Sequence, residues 1–352
     1  MTNATPTLFQ RLTGARLFWP LLALTLLLLF NFVFTKGFFH IEIKDGHLYG
    51  SLIDILNRAA PLMLITIGMT LVIAVSGIDI SVGAVVAISG SLVAMLIGGT
   101  LVLKGDVQEY VTLVPMSVAI LAALAVSTAA GLWNGLLVSR VGMQPIVATL
   151  ILLVVGRGVA QLITNGQIIT IYYKPYFFIG NGFLLGFPFS VYIVVLVLLI
   201  TLFLTRRTAL GLFIESIGIN PKASRMAGLN AKNLLLCVYA FCSLCAGIAG
   251  LIVCSSVKSA DGNNAGLYFE LDAILAVVLG GTSMTGGKFY LVGSMIGALI
   301  IQALTTTIYS IGVPPEITLV VKSVVVFLVM MFQSETFRRT VFRKFAKQVA
   351  QS

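Results

Sequence analysis

Long apolar runs alternate with short polar breaks along nearly the whole chain. An α-helix rises about 1.5 Å per residue, so about 20 consecutive apolar residues cross the hydrocarbon core of a bilayer. On that measure the pattern predicts about ten spans, at residues 17–36, 55–76, 80–100, 113–138, 145–163, 188–205, 233–256, 270–282, 289–311 and 316–333. The eighth run is short and predicts a broken or half-inserted helix. The expected fold is an all-α integral membrane protein, a polytopic bundle over residues 17–335 between a polar segment, 1–16, and a basic tail, 336–352. The first run leaves through Asn31–Lys36, which is too bulky for a signal-peptide cleavage site, so it is predicted to stay as a span.

One polar break differs from the rest. Gly218–Asn233, GINPKASRMAGLNAKN, is a basic island between the apolar runs Val191–Thr205 and Leu234–Val257. Asn220 suits a helix N-cap, because its side chain accepts an orphan backbone N–H. Pro221 suits the first helical position, and Gly228 the left-handed residue that ends a helix. Between them lie Lys222, Ser224, Arg225 and Met226. The loop 206–232 is thus predicted to hold a helix of about two turns, which is marginal alone and has to dock on something.

Composition fixes the class. The chain is 59% hydrophobic and 10% charged, with a mean hydropathy of +1.06, whereas a soluble domain carries about 25% charge. The net charge of +10 does not point to nucleic acid, because the basic residues are interleaved with lipid-length apolar runs. They sort by loop instead. Fourteen basic residues, Arg11, Arg16, Arg140, Arg206, Arg207, Lys222, Arg225, Lys232, Lys288 and five in the tail, fall on one set of alternate segments, against six on the other, Lys36, Lys44, Arg58, Lys104, Lys174 and Lys258, where most of the acids also lie. The Lys/Arg bias places both termini and Gly218–Asn233 in the cytoplasm.

Polar residues near or within spans are the candidates for a pathway or gate: Asp79, Asn134, Arg157, Gln161, Asn165, Thr282 and Ser283. A carboxylate at the bilayer centre costs about 2.5–3.5 kcal/mol, so Asp79 either caps the start of the third helix or serves the pathway. It is the one acid that the span count does not place at a surface. Arg157 and Lys322 are expected to line a cavity or snorkel to the interface. Cys237, Cys242, Cys245 and Cys254 share one apolar run with no His or acid nearby, which predicts packing rather than redox or metal chemistry. His40 and His47 have no companion ligands, so neither a metal site nor a catalytic constellation is expected. The loop Thr164–Pro188 carries Tyr172, Tyr173, Tyr176, Phe177 and Phe178, read as interface anchors or as a landing surface for a partner. Gly131/Gly135 and Gly293/Gly297 are GxxxG pairs, which predict close helix packing and a dimer seam.

Two turns, Ser76–Gly83 and Gly280–Gly287, interrupt apolar stretches in a similar way and suggest an internal duplication. The second, with Lys288, nearly spells a phosphate-binding loop. That motif needs G-x-x-x-x-G-K-[ST], but Thr282 stands at its first glycine and Phe289 at its hydroxyl. The chain is therefore expected to bind no ATP itself and to be no enzyme.

Ser76–Gly83 (SGIDISVG), Leu271–Lys288 (LDAILAVVLGGTSMTGGK) and Arg206–Gly228 together resemble the permease subunits of bacterial sugar ABC importers, the ribose, xylose and galactofuranose type. The segment Asp45–Pro61 looks most like the galactofuranose permeases. Ser76 departs from the pattern, standing where Gly is usual. The resemblance implies a multi-pass protein of the bacterial inner membrane with three protein partners. These are a periplasmic sugar-binding protein, a second permease chain, and a cytoplasmic ATP-binding subunit that uses ATP and Mg. It implies that Gly218–Asn233 is the coupling element. The expected function is the permease of an ATP-driven sugar importer. The rival readings are an ion-coupled secondary transporter, which wants intramembrane carboxylates, and a membrane-embedded enzyme.

Overall fold

In the computed structural model of the chain, residues 17–35, 37–44, 46–104 and 107–333 are described. The terminal segments expected in the cytoplasm, 1–16 and 336–352, lie outside them. The main helices in chain order are α1 (Phe18–Phe34), α2 (Ser51–Ala74), α3 (Val82–Ile97), α4 (Met116–Leu136), α5 (Pro145–Ile163), α6 (Phe189–Arg207), α7 (Leu210–Ile219), α8 (Pro221–Met226), α9 (Ala231–Val257), α10 (Phe269–Leu279), α11 (Leu291–Ser310) and α12 (Pro315–Gln333). Each predicted span is a helix with ends shifted by a few residues. By length and composition, α2, α4 with its terminal π turn Leu137–Val141, α5, α6, α9 and α11 are long and apolar enough to cross a membrane.

Two features had no counterpart in the run pattern. The loop 206–232 holds a second helix, α7, whose Gly211, Ile214, Ile217 and Gly218 are buried. The strands β1 (Gly99–Lys104) and β2 (Val107–Thr112) pair antiparallel beyond the end of α3, which stops at Ile97 rather than Thr100.

Burial divides the bundle. Beyond its first two turns α2 is apolar on nearly all sides, and it packs at the centre with α9, α10 and α11. Helices α4, α5 and α6 bury only a narrow stripe and turn Leu121, Val154, Leu162 and Phe203 outward, the surface a bilayer covers. Glycines set the central contacts. A Cβ on Gly68 would lie 2.7 Å from the Cys242 backbone, and one on Gly131 2.5 Å from Tyr239 O. In lipid such small residues let helix backbones approach closely. Gly131 and Gly135 face α9, and Gly293 and Gly297 face α10. Both GxxxG pairs are therefore used inside the chain, which corrects the expectation of a dimer seam.

The aromatic loop also departs from expectation. Residues Ile169–Thr170 pair with Ser259–Ala260 and draw the loop onto the bundle. Tyr176 becomes fully buried, its hydroxyl donating to Leu251 O at 2.9 Å. It is neither an interface anchor nor a landing surface, although Tyr172 and Phe178 are exposed.

The short tenth helix explains the bundle's middle. Eleven residues rise about 16 Å, roughly half of a 30 Å core. α3 is also short, at sixteen residues. It starts after a reversal at Ser76 and an irregular run over residues 77–79. The two shortfalls coincide: a Cβ on Gly83, near the start of α3, would lie 2.5 Å from Gly266 O, just ahead of α10, and would overlap Glu270 in its first turn. Two part-span helices thus meet within the bundle, as in transporters whose sites lie between discontinuous helices.

Candidate functional site

The arm that carries α8 is built as its sequence dictates. Asn220 Oδ1 accepts from Lys222 N and Ala223 N, both at 3.0 Å. Pro221 opens the helix. Leu229 N bonds Ser224 O at 3.0 Å, and Gly228 takes φ +86°, closing the helix with the left-handed turn that glycine favours. Ser224 turns inward and is buried, its hydroxyl donating to Asn220 O at 2.9 Å. Lys222 and Arg225 are exposed, and Met226 is 92% exposed. The helix is six residues, shorter than the two turns expected. Asn220→Ala is expected to cost about 1 kcal/mol of local stability, read as faster amide exchange at Lys222 and Ala223 with the rest of the bundle unchanged.

Just before this arm, three distant stretches close into one knot. Ser76 Oγ lies 2.8 Å from Gly218 O and 2.9 Å from Thr285 O, and Gly287 N donates to Ala74 O at 2.8 Å. Ser76 sits at φ +60°, a region that costs a non-glycine residue energy. Its hydroxyl bonds set against that cost, which gives the departure SGID a structural reading. The two turns flagged as a duplication therefore meet each other and the arm. Thr282 is buried here, its Oγ1 accepting from Tyr290 N at 3.1 Å, whereas Ser283 is exposed and bonds Thr285.

Asp79 is fully buried. Its Oδ1 accepts from Ser81 N at 3.0 Å and from Ser81 Oγ at 2.6 Å, and Asn134 Nδ2 donates to Ser81 Oγ at 2.9 Å. The carboxylate lies ahead of the positive end of α3, where the helix dipole favours it. It fixes the turn into the helix from two residues before the cap position, with Asn134 of α4 locking the turn. Asp79 and Asn134 are thus brought together. Gln161 and Asn165 are exposed at the end of α5, remote in sequence and fold from that pair.

Arg157 and Lys322 do not snorkel. Arg157 Nη1 donates to Ala265 O at 2.6 Å and Asn263 O at 3.2 Å, and Lys322 Nζ pairs with Asp272 Oδ2 at 2.5 Å. The loop Arg157 holds is shaped by Asp261, which accepts from Asn263 N at 2.8 Å and from Asn264 Nδ2 at 2.8 Å. Burial pushes the Asp261 carboxyl up, but these bonds, with Arg157 nearby, hold it below the usual carboxylate range. Asp79 is also not the one acid withdrawn from the surface: Glu270 is 8% exposed, and Asp272 is largely covered.

The feature the sequence reading missed is a vestibule of about 440 Å³, with polar and apolar walls, at the end of the bundle away from the arm. Asp54, Asn57 and Arg58 of α2, Asn181, Ser256 at the end of α9, Phe269 of α10 and Gln302 of α11 line it. Pro61 stands one turn further along α2 and has no N–H to give Asn57 O, so that carbonyl is released from the helix. Ser190 Oγ holds the Asn57 side chain at 2.5 Å. The available signal was the cluster Asp54-Ile-Leu-Asn57-Arg58 on a helix that is otherwise apolar, with Pro61 following. Amides both donate and accept, and one carboxylate is matched by one guanidinium, so the vestibule suits a neutral, polyhydroxylated guest rather than an ion. Its volume lies within the range of about 300–1,000 Å³ typical of small-molecule sites.

Known proteins agree with this architecture. The family described as branched-chain amino acid transport system / permease component matches residues 51–330. The chain is 50% identical over 325 residues to the galactofuranose transporter permease protein YtfT of Escherichia coli, covering 91% of each chain. It is 39% identical over 331 residues to the fructose import permease protein FruF of Bifidobacterium longum, covering 92% of this chain and 89% of the relative. It is 34% identical over 338 residues to the ribose import permease protein RbsC of Escherichia coli, covering 93% and 98%. No solved structure matches the chain. A helical bundle matched from the first turn of α2 almost to the end of α12, with relatives of this similarity along nearly its full length, belongs to the family of transport-system permease components.

Proposed function

We propose that the chain is the permease subunit of an ATP-driven sugar importer of the bacterial inner membrane, with galactofuranose or a related pentose or hexose as cargo. The observation that carries this reading is the vestibule. The amides of Asn57, Asn181 and Gln302, the Ser256 hydroxyl and the Phe269 ring offer donors, acceptors and an aromatic face to a sugar ring. The names of the three relatives point the same way.

The chain supplies no motor. The near-match to a phosphate loop has its Gly287 N–H spent on Ala74 O and its Gly286 N–H on Ser283 O. An ATP-binding subunit with Mg docks on α8 from the cytoplasm, a second permease chain completes the pathway, and a periplasmic binding protein delivers sugar to the vestibule. Both termini face the cytoplasm. When the ATPase moves α8, the knot at Ser76 carries that motion to the inner ends of α2, α10 and α11, whose outer ends form the vestibule.

The test is reconstitution in proteoliposomes with the ATPase and the binding protein. ATP-dependent uptake of labelled galactofuranose is expected only when all subunits are present. Asn57→Leu should lower uptake at subsaturating sugar about tenfold, the scale of a lost buried hydrogen bond or two. Uphill uptake by this polypeptide alone, or uptake abolished by an uncoupler in the presence of ATP, would overturn the reading.

A further inference from the structure

We propose that the first turn of α10 is a gate on the vestibule side, held shut by the Asp272–Lys322 ion pair on one flank and by the positive charge of Arg157 near Glu270 on the other. The proposal goes beyond transport of a sugar by this chain and does not depend on which sugar is carried.

Three observations converge on this turn. Phe269, its first residue, forms part of the vestibule wall. Glu270 and Asp272 leave the same turn toward different neighbours. Asp272 pairs with Lys322 of α12, with side chains only 18% and 13% exposed. Glu270 Oε2 is buried beside Gly83 of α3, and the buried Arg157 Nη2 of α5 lies 3.5 Å from the point that a Gly83 Cβ would occupy. Neither of these two atoms has a hydrogen-bond partner among the described residues. They are opposite charges gathered around the same point in the protein interior, near one another but without a direct hydrogen bond. The other nitrogen of Arg157 holds the carbonyls of Asn263 and Ala265, in the strand of chain that feeds α10. One guanidinium therefore restrains both the gate and its approach.

The approach is built to hinge. Gly266 takes φ +66° and Tyr268, immediately before the helix, φ +65°. A bulky aromatic residue in the left-handed region is an outlier, and such strain persists only where the surroundings impose it. Tyr268 offers α10 no side-chain cap. The inner half of α10 is packed on α11 through Ala276 and Gly280, and a helix whose start is strained and without a side-chain cap can pivot about that half when the charged contacts at its start part. Both acids lie in the first turn, where the helix dipole favours them, so the latch adds no electrostatic penalty to α10 itself.

The test uses a thiol beneath the gate. In the full transporter, with the four native cysteines replaced, Ala273→Cys places a reporter one turn inside Phe269 at a fully buried position. Its labelling by a membrane-impermeant methanethiosulfonate is followed without ATP. Removing one member of a buried pair leaves an uncompensated charge and endangers the fold, so the latches are opened with the neutral double variants R157Q/E270Q and D272N/K322Q. Each should speed labelling about tenfold or more, a shift toward the open state of one latch's worth, with the thermal midpoint of the transporter unchanged. Labelling at the parent rate in both double variants overturns the gate. Faster labelling that tracks a matching fall in thermal midpoint overturns it equally, because loosening of the whole bundle then explains the access. Sugar identity does not enter the readout, so a wrong cargo assignment leaves this result intact.

Discussion

Gly218→Ala is expected to abolish ATP-driven uptake, with a fall of about a hundredfold or more, the scale of misplacing a functional element by an ångström. Helix propensity argues the other way. Gly218 lies within α7, where alanine is favoured over glycine by about 1 kcal/mol. Packing reverses the sign. A Cβ there would overlap Ala74 O and lie 2.5 Å from Gly287 N, and those two atoms are already hydrogen-bonded to one another. Both are backbone, so no rotamer change relieves the clash. Overpacking of this kind costs about 1–3 kcal/mol, and it falls on the knot where the arm meets the end of α2 and the turn before α11. The cheapest relief is for the arm to move away. Uptake in proteoliposomes, compared with the ATPase rate of the same preparation, checks this. Uptake near the parent value would remove the knot from the path between α8 and the vestibule.

Arg225→Glu is expected to stop uptake by a different route. Arg225 is exposed on the outer side of α8, next to Met226. A surface change of this kind alters folding by about 0.5 kcal/mol or less, so the variant should insert and fold normally. A reversed charge facing a partner costs several kcal/mol of association, and the docked ATPase should be lost from the purified complex. Co-purification and uptake are both read. A variant that retains its ATPase and transports as the parent does would show that α8 is not the docking element. Together the two substitutions separate the arm's inner attachment from its outer one.

The arm was legible because its signals are local. Asn220, Pro221 and Gly228 act through the backbone within one or two turns, and the caps they predict are the caps observed. The spans were legible for a related reason. A bilayer demands continuous apolar length, so composition alone marks them. Even the short eighth run announced a helix that cannot cross, and α10 is that helix.

Residues whose meaning depends on a distant neighbour were not legible in this way. Asp79 reads as a costly intramembrane charge until Ser81 and Asn134 are placed around it. Tyr176 reads as an interface aromatic until a two-residue strand pair folds its loop inward. Glu270 and Asp272 stand at the start of a short apolar run, and no run length says that the preceding loop dips to meet Gly83. Ser76 is one small residue in place of another along the chain, whereas its hydroxyl lies between two carbonyls more than 140 and 200 residues away in sequence.

By itself the sequence determined the class of solvent this chain folds in, the order of its apolar spans, and the caps of its arm, because hydropathy and capping are read from a residue and its near neighbours. Only the tertiary structure decided which polar groups share a cavity, which charges face each other, and that the two interrupted turns and the arm meet at one point. Those are matters of distance between segments far apart along the chain, and the energy of a contact depends on that distance rather than on sequence separation.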